Sequence, residues 1–464
     1  MKTILLLNPN TYDNPYKVFP LGLAYLDDAL RRAGHRTEWA DLNLVSMEAV
    51  QQSLRDHAPD LIAISLRNID DVRINVREFF VDAVKDLVDR IREACNVPII
   101  LGGSGFSILP ETLFTYCNPD FGIVGEGEIA LVDLANGVDP ARIPGLVYRE
   151  QGQLRHNPVN RLLQAPQAAP VRDSKVMEYY LRDGGMANVQ TQRGCPLKCC
   201  YCTYPLIEGK RYRRRSGQAI AEEFQMLKSC GAKYVFIVDS VFNTSAEHVR
   251  EVSEALIEAG TPLPWGCFMR PKHITQEQLQ LLQQAGLQHI EFGSDSLCDS
   301  VLQAYGKAFS FEDIRHSSQL AREVGIDFCH FVIFGGPGET EATLGESFEN
   351  SKRIPGALYF PAVGMRVYPE THLHRFMDNE NASTTPRGLA CGCEASHLLR
   401  PTYYIAPGLT VEYLEARIAE FAEQSPNWVN LEKSPEFDAV ARRLRKKGVA
   451  GPLWNYLSVL RRLA

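Results

Sequence analysis

Short apolar runs alternate with helix-length amphipathic stretches along most of this 464-residue chain, and this alternation is the strongest constraint on its fold. In the amino-terminal part the runs occupy residues 4–7, 37–42, 61–65, 98–101 and 121–124. Strands that are separated by helices pair in parallel, with helices on both faces of the sheet. Residues 1–142 are therefore predicted to form a doubly wound, Rossmann-like α/β domain.

The alternation pauses after this domain and then resumes. Residues 143–187 are predicted as a hairpin and linker, because Gly152 separates two short apolar stretches and several prolines follow. Six further apolar runs, at 189–191, 234–238, 266–269, 289–292, 328–334 and 363–367, predict a partial (β/α)6, TIM-like barrel over 188–375. Residues 376–464 are predicted as a small, mostly helical carboxyl-terminal region.

Composition narrows the function classes. With 49 basic and 56 acidic residues the net charge is -7, which argues against a nucleic-acid partner. The first apolar run is too short for a signal peptide and no later one approaches the roughly 18 residues of a membrane span, so the sequence predicts a cytoplasmic protein. Residues 440–464 carry seven basic and no acidic residues. This end is compatible either with peripheral membrane contact or with a solvated helix.

Four cysteines fall within eight residues, at Cys195, Cys199, Cys200 and Cys202. Three of them have the spacing C-x-x-x-C-x-x-C, and three thiolates on one loop can hold three corners of a [4Fe-4S] cluster, leaving the fourth iron open to another ligand. Zinc is the alternative, but zinc modules bring a second close pair of ligands, and the nearest is Cys391 and Cys393. The loop follows the first barrel strand, where active sites of such barrels assemble.

This cysteine triad, with Tyr201 before its last member, resembles the signature of the radical SAM superfamily, in which the open iron binds S-adenosylmethionine (SAM). The resemblance implies Cys195, Cys199 and Cys202 as cluster ligands and Cys200 as a non-ligand. Segments after later strands resemble the SAM-contacting segments of that superfamily. Together with Tyr201 of the cysteine motif, they imply the following cofactor contacts: Asp239, Ser240, Glu291, Ser294, Gly335 and Gly336.

A doubly wound domain before such a barrel is similar to the cobalamin-binding domain of cobalamin-dependent radical SAM enzymes. The implied cobalamin contacts are Asn8, Pro9, Leu21, Gly22, Arg67, Asn68, Gly102, Gly103, Ser104, Gly125, Glu126 and Gly127. The D-x-H-x-x-G motif is absent, so no protein histidine is expected on cobalt. His35 is interpreted as a helix cap. Arg67 or Asn68 is interpreted as the residue that faces the lower side of the corrin ring. An NAD site is disfavoured because G-x-G-x-x-G does not follow the first strand.

The resemblance implies an enzyme that cleaves SAM reductively at a [4Fe-4S] cluster and methylates an unactivated carbon of a small molecule or lipid, with a one-electron donor such as flavodoxin or ferredoxin. The alternative keeps the cofactors but gives a radical rearrangement, ring contraction or oxidative cyclisation. A non-catalytic corrinoid sensor is the third hypothesis. A methylthiotransferase is disfavoured because the amino-terminal domain lacks a second cysteine triad.

Other residues keep two interpretations each. The basic stretch 210–215 fits either an anionic ligand or a solvated loop. Cys391 and Cys393 fit either a metal or radical role or spare thiols. Arg366, Tyr368 and Tyr404 fit either substrate contact or barrel packing.

Overall fold

The structure is a computed structural model that describes residues 1–12, 17–75, 78–160, 162, 169–170, 172–182, 184–260, 263–381, 389–390, 398–429, 439 and 443–456. It divides into two compact units. The first comprises Met1–Asp71, Arg77–Tyr180 and Thr203–Lys210, and the second comprises Val72–Val76, Leu181–Cys202 and Arg211–Ala464.

The first unit is built on a seven-stranded sheet with the order β2-β1-β3-β4-β5-β6-β7. Its strands are β1 (Thr3–Asn8), β2 (Arg36–Asp41), β3 (Leu61–Ser65), β4 (Ile99–Gly102), β5 (Phe121–Ile123), β6 (Leu146–Glu150) and β7 (Gln153–His156). The first five strands pair in parallel, which confirms the doubly wound fold. The strand order reverses between β1 and β3, and ligands of such sheets bind beyond the carboxyl ends of the strands at this switch point.

Helices cover this sheet because their apolar faces need burial. The helices up to residue 210 are α1 (Leu21–Arg32), α2 (Met47–Asp56), α3 (Val81–Ala94), α4 (Ser104–Ile108), α5 (Pro110–Cys117), α6 (Gly127–Ala135), α7 (Ser174–Arg182) and α8 (Tyr204–Ile207), with a short 3-10 turn at Pro140–Arg142. Leu23 and Leu30 of α1 join Ile4 and Leu6 of β1 in one buried cluster.

The predicted hairpin forms, and it also extends the first sheet. Strand β6 pairs antiparallel with β5, and β7 pairs antiparallel with β6. Leu146 and Tyr148 of β6 are buried in the same cluster as the parallel strands. The hairpin therefore belongs to the core of the first unit and does more than link two domains.

The second unit contains a six-stranded parallel sheet in the order β15-β14-β13-β12-β11-β8. Its strands are β8 (Met186–Val189), β11 (Tyr234–Ile237), β12 (Trp265–Met269), β13 (Leu287–Asp295), β14 (Asp327–Phe334) and β15 (Leu358–Val363). Among the described strands β8 and β15 pair only with their inner neighbours, so the barrel is partial, as predicted; on its outer side β15 makes one isolated bridge, from Tyr359 to Trp428. The helices are α9 (Gly217–Ser229), α10 (Ala246–Glu258), α11 (Gln276–Gln284), α12 (Asp299–Ala304), α13 (Phe311–Val324) and α14 (Glu341–Ser351).

Smaller elements complete this unit. Strands β9 (Gln192–Arg193) and β10 (Arg213–Arg214) pair antiparallel, while β16 (Met365–Arg366), β17 (Leu389–Ala390) and β18 (Tyr403–Tyr404) form a three-stranded sheet. Helices α15 (His372–Asn381) and α16 (Val411–Gln424) and the 3-10 turn Leu453–Tyr456 follow the barrel. The carboxyl-terminal region thus combines helices with one small sheet.

The last barrel strand lies earlier in the sequence than predicted. The run at 363–367 suggested the strand, but β15 ends at Val363 and residues 365–366 belong to β16. Pro361 inside Leu358–Val363 weakens the strand signal because proline donates no ladder hydrogen bond. It is tolerated here because β15 is an edge strand, paired only with β14 among the described strands.

The two faces of β13 define the interior of the barrel, called the lumen below. Alternation places Glu291 and Gly293 on one face and Phe292 and Ser294 on the other. Ser294 bonds His330, whose other ring nitrogen lies 3.1 Å from the hydroxyl of Ser318 on α13. The Ser294 face is therefore turned towards the helices, and Glu291 faces the lumen.

Candidate functional site

The cysteine loop, residues 195–202, follows β9 at the carboxyl edge of the barrel sheet. Cys195 is buried, and Cys199 and Cys202 are half-buried. The amide of Cys202 donates to the carbonyl of Cys199 over 3.2 Å, which closes a tight turn around the last two thiols. The three predicted cluster ligands therefore lie on one compact loop.

A tripeptide far along the chain, Tyr305–Gly306–Lys307, supports this loop; we call it the clip. The amide of Cys200 donates to the carbonyl of Tyr305 over 2.9 Å. A Cβ on Gly306 would lie 2.4 Å from the carbonyl oxygen of Lys198, so only glycine allows this close approach. The hydroxyl of Tyr305 donates to the carbonyl of Ile333 over 2.9 Å and accepts from the amide of Gly336 over 3.1 Å. The clip thus ties the cysteine loop to the Gly335–Gly336 turn after β14.

The third residue of the clip places a positive charge beside the thiols. The ammonium group of Lys307 forms a buried ion pair with Asp295. Burial alone would lower the pKa of Lys307, but Asp295 and the thiolates of Cys199 and Cys202 hold it above its ordinary value. Burial raises the pKa of Cys199, and Lys307 opposes that shift. The site therefore offers a fixed cation to an anionic group held by these sulfurs.

Two tyrosines hold the charged groups in place. Tyr201 donates a short hydrogen bond to Asp295, whose backbone adopts a left-handed conformation with φ of 63° at the end of β13. Tyr212 lies beside Cys195, and burial followed by the charge of Cys195 raises the pKa of Tyr212. Tyr212 and Lys307 were missed from the sequence, because nothing local marks a residue that meets the loop only in the folded chain.

The arrangement of donors bears on the choice of metal. A zinc site needs its ligands within about 2.3 Å of a single ion. In the part of the chain that the structure describes, no three His, Cys, Asp or Glu side chains converge on such a point. The thiols instead share one loop with hydrogen-bond donors and a cation beside them, and such groups tune the sulfurs of an iron–sulfur cluster.

Cys200, next to Cys199 in the loop, makes contacts of its own. Its sulfur is 3.6 Å from the sulfur of Met365, and its carbonyl accepts from the amide of Leu373 over 2.8 Å. Burial raises the pKa of this thiol to about 12. Its sulfur is in contact with Met365, and its assignment as a non-ligand stays a prediction.

The predicted SAM contacts divide into two groups. Asp239 is buried and accepts from the amide of Thr191 over 2.7 Å and from the Thr191 hydroxyl, and Ser240 donates to the carbonyl of Gly194 over 3.3 Å. Both residues brace the entry to the cysteine loop. Ser294 bonds His330 on the helix side of β13, so the structure does not bring it into the lumen.

Glu291 does reach the lumen, where it is partly exposed. Burial raises its pKa to about 7, and a hydrogen bond from the indole of Trp454, 3.1 Å long, works in the opposite direction. The glycine turn after β14 packs against the clip, since a Cβ on Gly336 would lie 2.4 Å from the hydroxyl of Tyr305. Glu339, just after this turn, is also buried and has its pKa raised to about 7 by burial.

In the first unit the predicted cobalamin contacts collect at the carboxyl ends of the parallel strands. Asn8, at the end of β1, donates to Asp41 over 3.0 Å and to Tyr180 over 3.1 Å. Arg67 is exposed just beyond β3, and its carbonyl accepts from the hydroxyl of Ser104 over 2.7 Å. Pro9 follows β1 and Asn68 follows β3, while the other contacts lie where helices begin at the same edge: Leu21 and Gly22 in α1, Gly102 and Gly103 before α4, and Gly125, Glu126 and Gly127 at α6.

His35 lies at the opposite edge. It precedes β2, its Nδ1 accepts from the amide of Lys2 over 3.3 Å, and its Nε2 lies 3.1 Å from the side-chain oxygen of Asn136. A histidine at the amino ends of the strands is far from the ligand edge of such a sheet. The cap interpretation is wrong for its ring: the backbone amide of His35 donates to the carbonyl of Leu30 over 3.0 Å at the end of α1, but the ring contacts Lys2 and Asn136 and no carbonyl of that helix.

Several predictions concern the carboxyl-terminal end. Cys391 and Cys393 lie outside the described residues, as do Arg442, Arg461 and Arg462. Arg366 is buried and donates to the carbonyl of Val367 over 2.7 Å, which is a packing role. Within the described ranges, no helix has both the length and the apolar character needed to cross a bilayer.

Comparisons with known proteins match both units. The family model of the radical SAM superfamily matches residues 189–350, and that of the B12 binding domain matches residues 13–135. A tryptophan 2-C-methyltransferase from Streptomyces laurentii is 26% identical over 461 residues, covering 83% of this chain and 76% of that protein.

Solved structures share the fold. The radical S-adenosylmethionine methyltransferase TsrM from Kitasatospora setae, with cobalamin and a [4Fe-4S] cluster bound, has a TM-score of 0.89 at 23% identity, covering 99% of this chain and 98% of that one. The cobalamin-dependent S-adenosylmethionine radical enzyme OxsB has a TM-score of 0.78 at 16% identity, covering all of this chain and 71% of that one.

Proposed function

The chain belongs to the cobalamin-dependent radical SAM family, with a B12 binding domain ahead of a radical SAM domain, and from this premise we propose that it methylates an unactivated carbon of a small molecule or lipid. The observation that carries the proposal is the cysteine loop, whose three thiols and neighbouring cation lie at the carboxyl edge of an open parallel barrel.

Cys195, Cys199 and Cys202 would hold three irons of the cluster and leave the fourth for SAM. Lys307 and Tyr212 fit this role, because a cation and a hydrogen-bond donor beside the sulfurs offset the negative charge of a thiolate-bound cluster. Tyr201 would hold Asp295, and through it Lys307, beside the cluster. These residues orient and stabilise the group without taking part in bond making.

The SAM molecule would extend from the cluster into the lumen. Glu291 would contact it there, since alternation along β13 places its side chain on the lumen face. The Gly335–Gly336 turn would approach it through backbone groups, while Asp239 and Ser240 would act indirectly by bracing the cysteine loop. Phe268 and Phe331, whose rings are 6.4 Å apart and partly exposed, would keep water from the reacting carbon.

The switch-point edge of the first unit would bind cobalamin. Gly22 fits a bulky ligand there, because no atom lies within 4 Å of the position that a Cβ would take. Arg67 or Asn68 would face the lower side of cobalt, and a guanidinium cannot coordinate the metal. When bound, the reduced cluster and SAM supply an organic radical and cobalamin supplies a transferable methyl group.

The relatives and the surface charge suggest a substrate and partners. Because one relative is named for tryptophan, tryptophan is the first small molecule to test. An electron donor such as flavodoxin or ferredoxin would reduce the cluster. Arg443, Lys446 and Lys447 are exposed and would provide any peripheral contact with an anionic membrane. A reducing, cytoplasmic setting suits the ten described cysteines, none of which forms a disulfide.

The test is reconstitution without oxygen in the presence of iron, sulfide and hydroxocobalamin, followed by metal analysis. The proposal expects about four iron and about one cobalt per chain. Incubation with tryptophan, a reductant and SAM carrying a deuterated methyl group should then give a product heavier by that methyl group. A product without the label would favour rearrangement or cyclisation, and bound cobalamin with no turnover of SAM would favour the sensor.

A further inference from the structure

The described carboxyl-terminal segment 443–456, called the plug below, packs against the amino ends of the barrel strands. Gly451 contacts Tyr234, the first residue of β11, and His289 near the start of β13; a Cβ on Gly451 would lie 3.2 and 3.6 Å from these two rings. Arg445 is buried, donates to the carbonyl of Val449 over 3.1 Å and lies against Gly184 just before β8. These contacts place the plug at the barrel end opposite the cysteine loop.

Trp454 of the plug enters the lumen. It is buried in one apolar cluster with Cys329 of β14 and Phe360 of β15, and Leu444 packs against the same apolar cluster. The ring of Trp454 meets that of His289 edge to face at 5.4 Å, and its indole N–H donates to the carboxyl of Glu291 over 3.1 Å. One side chain therefore contacts three neighbouring strands of the partial barrel.

We propose that the plug seals the amino end of the barrel and that Trp454 is a positioning residue, which holds the carboxyl of Glu291 inside the sealed chamber. The seal leaves the lumen open towards the carboxyl ends of the strands, where the cysteine loop lies. An apolar wall opposite the opening keeps water from reaching Glu291 from below. The catalytic value of this arrangement rests on the proposed function, whereas the tests below do not.

The seal is tested by the rate at which iodoacetamide alkylates Cys329 in the holoprotein, followed by mass spectrometry of its peptide. Cys329 packs against Trp454, whereas Cys298 is equally buried elsewhere and Cys230 is exposed, so both serve as references in the same sample. In Trp454→Ala the rate at Cys329 should rise about tenfold or more while Cys298 stays protected. Trp454→Phe keeps a ring in place and should leave Cys329 protected.

Equal protection of Cys329 in wild type and Trp454→Ala would overturn the seal. So would a wild-type Cys329 that reacts as fast as Cys230. If Cys298 also becomes reactive, the alanine variant has unfolded. The alkylation rates are then measured in Trp454→Leu, which keeps an apolar side chain, and the same comparison of Cys329 with Cys298 tests the seal. None of these outcomes depends on bound SAM or on turnover.

The positioning role is tested by the infrared band of the protonated carboxyl group of Glu291, identified by its loss in Glu291→Gln. The other titratable groups around Glu291 are Cys267, Cys329 and His289; burial keeps both thiols protonated and lowers the pKa of His289 to about 4. Glu291 is thus the group here that titrates near neutral pH. The hydrogen bond from the indole favours the ionised form of Glu291. In Trp454→Phe the band of the protonated carboxyl group should therefore persist to higher pH.

The matched control is Trp428→Phe. It also removes an indole donor, from Trp428 to the hydroxyl of Ser351 over 3.1 Å, but in a core that does not include Glu291. This variant should leave the titration of the band unchanged. An unchanged band in Trp454→Phe, or an equal shift in both variants, would overturn the positioning role.

Discussion

The ammonium group of Lys307 is ion-paired with the carboxylate of Asp295 and lies beside the thiol of Cys199. A positive charge next to a cluster ligand stabilises the electron-rich, reduced state. We predict that Lys307→Met lowers the reduction potential of the cluster, on the order of tens of millivolts. The check is a potentiometric titration followed by electron paramagnetic resonance.

Two control variants separate charge from structure in that experiment. Lys307→Arg keeps the charge and should stay close to the wild-type potential. Lys352→Met removes an exposed lysine that pairs with Glu349 on the surface, and it should have no effect. A potential that is unchanged in Lys307→Met would contradict the electrostatic role.

Adjacent cysteines should differ sharply in their effect on iron content. Cys199→Ala removes a cluster ligand, so the reconstituted protein should lose most of its roughly four irons per chain. Cys200→Ala removes a buried thiol that contacts Met365, so iron should be retained. Iron analysis after anaerobic reconstitution provides the comparison, and loss of iron in both variants would argue against the assignment of the triad.

The hydroxyl of Tyr305 joins the carbonyl of Ile333 to the amide of Gly336. Tyr305→Phe leaves both backbone groups without this partner, so we expect a loss of about 1–3 kcal/mol in the free energy of unfolding. Denaturant unfolding measures the change. Tyr413→Phe, on the outer helix α16, is the control and should be close to neutral.

Glu339 predicts a pH dependence of stability. Burial raises its pKa in the folded chain from 4.5 to about 7, so folding favours the protonated form. The stabilisation from burying the protonated carboxyl group is present in full below the pKa of 4.5 that Glu339 has in the unfolded chain. It is lost as the pH rises through about 7. Glu339→Gln should therefore flatten the fall in melting temperature between about pH 4.5 and about pH 7. Glu258→Gln, at an exposed position of α10, should not change that slope.

Arg67 is exposed at the switch point of the first sheet, beyond the end of β3. If it faces cobalt, Arg67→His would introduce a coordinating nitrogen where the wild type has none. The electron paramagnetic resonance spectrum of bound Co(II) should then acquire nitrogen superhyperfine splitting. Arg55→His, on α2, should retain the wild-type spectrum. An unsplit spectrum in both variants would show that Arg67 does not face cobalt.

Much of this architecture could be predicted from the sequence, because apolar runs mark buried strands wherever they sit in a sheet. The runs at 4–7, 61–65 and 234–238 lie in or across β1, β3 and β11. The strand β15 was misplaced because Pro361 interrupts its pattern. Periodicity also gives two faces of a strand without saying which one faces the lumen, so Glu291 and Ser294 could not be distinguished.

Contacts between distant residues were beyond the reach of local patterns. Lys307 meets the cysteine loop, and Trp454 meets Glu291, only after the barrel strands have assembled. No spacing rule links a lysine or a tryptophan to a partner a hundred or more residues away. The motif predicts the metal ligands, while the groups beside and behind them are visible only in the fold.

The position of the clip in the sequence also determines when, during translation, the cysteine loop acquires its supporting contacts. About a hundred residues separate the cysteine loop from Tyr305, and a ribosome adds about 5–20 residues per second, so the thiols emerge roughly 5–20 s before their support exists. During that interval the loop has neither the carbonyl of Tyr305 nor the charge of Lys307. Iron loading in the supported geometry is consequently a late event, which must wait until the nascent chain has passed residue 307.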